Sequence, residues 1–186
     1  MNHVRLLLAA LLTPLLWHCS DNGAKPDAAV ADPIPATANP QRGIASTALA
    51  VNADAMSATA TIVLEPSATL GATFEIGDIS IVDVTEMLPS GAAPRLWIDR
   101  GATLDVGVAA ATEPMTLVIR YTFSKHTKFD GYNGTATGAY TLVWPYYCGN
   151  LFPCHSAPAD GTAFSVEVTA PTSGLKVIAP SGVSLE

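Results

Sequence analysis

Positive charge is scarce in this chain: Lys and Arg total 9 against 16 Asp and Glu, for a formal net charge of −7. The cations are scattered rather than clustered, which argues against a nucleic-acid-binding surface. Long apolar runs are missing after the first seventeen residues, so no segment reads as a membrane-spanning helix. The nucleophile elbow G-x-S-x-G is absent, and with it the usual frame for a serine hydrolase. Internal repeats are absent too. Cysteine is limited to Cys19, Cys148 and Cys154.

The opening residues read as an export leader. Arg5 supplies a positive start, and Leu6–Leu16 form an apolar run interrupted by Thr13 and Pro14, too short to cross a bilayer. Cys19 follows, with Leu16 three residues before it. This spacing resembles a lipoprotein box, in which the cysteine is lipidated and becomes the mature N-terminus. His18 departs from the small residue that signal peptidases favour there, and plain secretion is the alternative. Loss of Arg5 with the leader makes the mature chain one unit more negative. Residues 19–43 are rich in alanine and carry four prolines with no hydrophobic period, the composition of a linker.

Residues 44–186 are long enough for one domain with its own core, and they read as strands. STALAVNA and ATATIVLE alternate small polar and apolar residues around Asp54 and Met56, and Pro66 ends the second run. Thr73–Ile76 and Ile79–Val84 are broken by Gly77-Asp78. Arg95–Ile98 and Thr103–Val108 flank the turn Asp99-Arg100-Gly101. Met115–Phe123 is the clearest strand, with Leu117, Ile119, Tyr121 and Phe123 on one face. Tyr140, Leu142 and Trp144 alternate in another run. Phe164, Val166 and Val168 alternate with polar residues in what reads as a half-buried strand, and Leu175–Ala179 is the last. Short strands, frequent turns and no amphipathic helix predict an all-β fold, an antiparallel β-sandwich or saddle-shaped sheet.

Cys148 and Cys154 form an even pair in an exported chain, the setting in which a disulfide persists. A structural zinc site using Cys148, Cys154 and His155, with His126 as a candidate fourth ligand, is the alternative. The five-residue gap is wider than zinc knuckles use, and export favours oxidation. Ser156, His126 and Asp130 are the residue types of a hydrolase triad, but nothing in the sequence joins them. Lys125, His126 and Lys128 read as the basic part of a solvated hairpin tip next to DGYNGTATG. Asn133-Gly134-Thr135 is a formal glycosylation sequon. Trp144, Tyr146 and Tyr147 form an aromatic patch suited to core or interface packing, with a glycan- or peptide-facing surface as the alternative.

The stretch LFPCHSAPADGTAFSVEVTAP resembles a segment of the aminopeptidase N-like zinc metallopeptidases (membrane alanyl aminopeptidases, gluzincins), which reads roughly F-P-C-x-D-x-P, then T-F and a strand. Phe152, Pro153, Cys154, Pro158 and Phe164 fall on that pattern, and Cys148–Gly161 is similar to a bacterial branch. Ser156 stands where that family carries Asp. The resemblance implies an N-terminal β domain lying ahead of a zinc-binding catalytic domain, the partner that would remove N-terminal residues from peptides. The family's H-E-x-x-H needs two imidazoles one helical turn apart. His3, His18, His126 and His155 are nowhere four apart, and none precedes Glu. The Gly-Ala-Met-Glu-Asn motif is also missing. The expectation is therefore a non-catalytic domain with no catalytic, cofactor or metal residues of its own, zinc being implied only for a full-length relative. The chain closes about where such a domain would end, which reads as a truncated or fragmentary protein. A stand-alone β-sandwich lipoprotein that binds a protein or glycan partner is the second reading.

Overall fold

The computed structural model describes residues 42–126, 130–134, 138–142, 147–157 and 162–170. The leader, Cys19, Trp144, Tyr146, Lys128 and the strand expected at Leu175–Ala179 lie outside these residues.

The first hairpin shows how local chemistry sets the fold. β1 (Ile44–Asn52) and β2 (Ser57–Leu64) pair antiparallel from Ile44↔Leu64 to Asn52↔Ser57. The Asn52 carboxamide oxygen accepts the N–H groups of Asp54 (3.1 Å) and Ala55 (2.8 Å), an Asx turn that reverses the chain. Met56 takes a left-handed φ of 52° to complete it. Strict alternation along β2 then buries Ala58, Ala60, Ile62 and Leu64 on one face.

β3 (Ala72–Glu75), β4 (Ile79–Leu88), β5 (Gly91–Pro94), β6 (Trp97–Asp99), β7 (Thr103–Val106) and β8 (Met115–Phe123) follow. Two further strands, β9 (Gly131–Gly134) and β10 (Ala139–Leu142), form a separate hairpin, and β11 (Ala163–Thr169) is the last among the described residues. One sheet has the order β11-β1-β2-β8-β4-β5, and a second has the order β3-β7-β6. The β6–β7 hairpin turns where expected: Gly101 has φ 87° and the Arg100 N–H donates to the Thr103 carbonyl.

A single apolar core joins the two sheets. Ile62, Leu64, Leu117 and Ile119 of the larger sheet meet Phe74, Leu104 and Val106 of the smaller, all fully buried. Each such side chain contributes roughly 1.5–3 kcal/mol by leaving water. The architecture is thus all-β and sandwich-like, and among the described residues every pairing between strands is antiparallel except one.

That exception is β11, which runs parallel to β1 from Ser46↔Ala163 to Asn52↔Thr169. It is also exposed along its whole length rather than half-buried. Register places Phe164, Val166 and Val168 beside Thr47, Leu49 and Val51, on the inner face of the sheet. They remain 44–52% exposed, because the described part of the smaller sheet does not cover them. β5 is a strand that alternation did not reveal. The glycine-rich hairpin tip is not fully solvated either: Tyr132 and Asn133 are buried, and the Tyr132 ring packs edge-on to Phe123 at 5.1 Å.

Candidate functional site

Glycine and proline place the segment 147–157 across one end of the sandwich. A single 3-10 turn spans Cys148–Asn150, closed by the Leu151 and Phe152 N–H groups donating to the Cys148 carbonyl. Gly149 lies so close to Ile76 that a Cβ there would sit 3.0 Å from its backbone. The Gly77 N–H donates to the Gly149 carbonyl at 2.8 Å. Cys148 and Cys154 are joined by a disulfide across a Cα–Cα distance of 6.1 Å. Cys154 then exchanges two backbone hydrogen bonds with Glu75 at the end of β3.

Around this clip, each polar side chain has a separate partner. The Glu75 carboxylate accepts the Ser156 N–H at 3.1 Å and the Ser156 hydroxyl. His155 stacks on Phe74 with ring centroids 5.8 Å apart, and its Nε2 donates to the Thr73 carbonyl at 2.7 Å. It is thus a packed, half-buried residue rather than a free loop imidazole. His126 Nδ1 lies 3.3 Å from the Asp78 carboxylate. The Asp130 carboxylate accepts from the Asn150 amide at 2.6 Å, and the Asn150 oxygen accepts the Asp78 N–H.

Ser156, His126 and Asp130 are therefore not shown joined into a relay: the partners found are Glu75, Asp78 and Asn150 respectively. Among the described residues, Glu75, Cys148 and Cys154 form the one group whose donor atoms converge, all within 4.8 Å of one another. Both sulfurs are spent in the disulfide, and no imidazole belongs to the group. This donor set does not fit a hydrolytic zinc, because the bonded sulfurs leave one carboxylate where a catalytic zinc takes three protein ligands. Glu75 is the residue that sequence spacing did not bring to the clip, because it arrives from a distant strand.

The remaining candidates separate. Asn133 is 3% exposed and its amide donates to the Gly131 carbonyl, so the sequon asparagine is held inside the fold. Tyr147 is half exposed, and Phe152 packs against Phe164 of β11 at 5.2 Å. On the outer face of the larger sheet a shallow trough of about 380 Å³ runs over Ala50, Thr59 and Arg120. The Arg120 guanidinium there grips the Asp83 carboxylate through Nε at 2.7 Å and Nη2 at 2.5 Å.

The structure so far defines a class, an all-β sandwich domain with a disulfide clip at one end. No family model matches the sequence, and no curated protein matches it significantly. Solved structures do share the fold. An M1 zinc metallopeptidase from Deinococcus radiodurans matches with a TM-score of 0.57 at 20% identity, over 72% of this chain and 34% of that one. A variant of that enzyme bound to a Tyr-Ser-Ala substrate matches at 0.57 and 15%, over 68% and 32%. Legionella pneumophila aminopeptidase A, in complex with aspartic acid, matches at 0.62 and 10%, over 73% and 17%. This chain therefore spans about a third or less of the enzymes whose fold it shares.

Proposed function

We propose that this chain is the non-catalytic β domain of an exported zinc aminopeptidase-like protein, whose catalytic domain would supply the zinc chemistry. The observation that carries this is the shared fold, in which most of this chain corresponds to a minor part of M1 zinc metallopeptidases. The clip supports it, since the segment that resembles the family in sequence also ties β3 to the edge of the sheet. In the longer protein the domain would wall the catalytic cleft, and the whole would remove N-terminal residues from peptides. Its leader would place it outside the cytoplasm, tethered by lipid on Cys19.

Hydrolysis of a peptide at neutral pH needs an activated water. Among the described residues no group offers a metal an open position, so the chain alone is expected to leave aminoacyl arylamides intact, with or without added zinc. Chelator-sensitive turnover by the purified chain would overturn the reading. Intact mass of the membrane fraction is expected to show acylated Cys19, and a soluble product cut elsewhere would leave only secretion. An adjoining reading frame without H-E-x-x-H would instead favour the stand-alone lipoprotein that binds a protein or glycan partner.

A further inference from the structure

Arg42 is one of the largest fully buried side chains in the fold, 1% exposed, two residues before the first paired position of β1. Two residues apart on either side of Gly43, Arg42 and Ile44 are both buried, and Arg42 reaches the segment that follows β7. There Nη1 donates to the Ala109 carbonyl at 3.0 Å. Its Nε and Nη2 are buried and reach no hydrogen-bond partner among the described residues.

Those two atoms are one feature. In a guanidinium, Nε–H and the neighbouring Nη2–H point the same way and form the edge that takes a carboxylate with two parallel hydrogen bonds. The fold uses this same edge twice elsewhere. Arg95 offers Nε (2.7 Å) and Nη2 (2.6 Å) to one oxygen of Glu86, Oε2, and Arg120 offers the same pair of nitrogens to one oxygen of Asp83, Oδ2. Among the described residues, Glu86 is the carboxylate whose charge acts on Arg42, and it is already held by Arg95. Two buried cations therefore share one anion. Burial pushes the Arg42 guanidinium below its ordinary value and Glu86 opposes this, as expected of a cation whose lost hydration is only partly compensated. Glu65 does not make up the difference: its side chain lies where a Cβ on Gly43 would go, on the opposite face.

We propose that Arg42 is a carboxylate-binding residue, its buried Nε/Nη2 edge holding one carboxylate within reach of the charge of the Arg95–Glu86 pair. The ligand is a single small carboxylate, because the excess is one charge and the donors form one fork. Its source is either a free carboxylate or an acidic side chain of the preceding segment, which carries Asp21, Asp27 and Asp32.

The probe is sodium formate added to the full chain with its disulfide intact, sodium chloride holding ionic strength constant. The readouts are the Arg42 Nε–H resonance and the thermal midpoint. A saturable shift of that resonance with a rise in midpoint is expected, and R42K, which keeps the charge but loses the fork, should bind formate at least tenfold more weakly. If an aspartate of the leading segment already fills the edge, the parent chain will stay unmoved while the D21N/D27N/D32N chain responds. No saturable response in either chain, or one matched by chloride alone, would overturn the proposal; the aminopeptidase-domain reading would stand regardless.

Discussion

Tyr121 sits near the end of β8, 1% exposed, and its hydroxyl is buried without a hydrogen-bond partner among the described residues. A buried, unpaired hydroxyl costs about 1–3 kcal/mol relative to one that is paired. Burial also pushes the phenol well above its ordinary value, because the phenolate cannot be hydrated there. The sign follows from the two states. The unfolded chain ionises near pH 10 while the folded chain keeps its proton, so stability is full below about pH 10 and falls as pH rises towards the higher folded value. Tyr121→Phe removes the orphan and the titration together while keeping the ring. It is expected to raise unfolding stability by about 1 kcal/mol in urea and to remove part of the alkaline decline. A loss of more than about 1 kcal/mol would show that the hydroxyl has a partner.

The clip and the last strand show what a sequence does and does not reveal about an element. β1, β2 and β8 are legible because alternating residues meet a covered inner face, so period and burial coincide. β5 (GAAP) has too little side chain to carry a period. β11 carries a clear one, but alternation names a face and cannot say whether anything covers it, nor that its neighbour β1 runs parallel. The cysteines and the clip's place in the chain were equally readable, whereas Glu75 was not, since its approach depends on the path of β3. Within the clip, the disulfide closes a short loop whose other attachments are the Glu75–Cys154 backbone pair and the Ser156–Glu75 contact. Replacing both cysteines by serine is expected to cost about 2 kcal/mol, from restored freedom of the unfolded loop. Denaturant unfolding measures the loss, and thiol titration of the parent chain should find Cys148 and Cys154 unreactive. An unchanged midpoint would mean the hydrogen bonds alone hold the loop.

At the scale of the whole molecule, the two described sheets differ in reach. The smaller one buries the inner face of β2 and β8, where Ile62, Leu117 and Ile119 are sealed, but leaves that face open at β11. Phe152 and Phe164 begin an apolar strip that Val166 and Val168 continue, all on the side that elsewhere forms the core. Isolated exposed apolar residues are ordinary, whereas these lie side by side in register with a core face. The chain should therefore bind a fluorescent apolar probe, and Val166→Asp should cut that signal by at least half. Because Val166 is already half exposed, the same substitution should move unfolding stability by no more than about 0.5 kcal/mol. A matching substitution at Ile119, sealed at 0% exposure, would instead place a charge in the core and unfold the domain. Equal damage at the two positions would mean that β11 is covered in solution by the chain itself, and that its inner face is core after all.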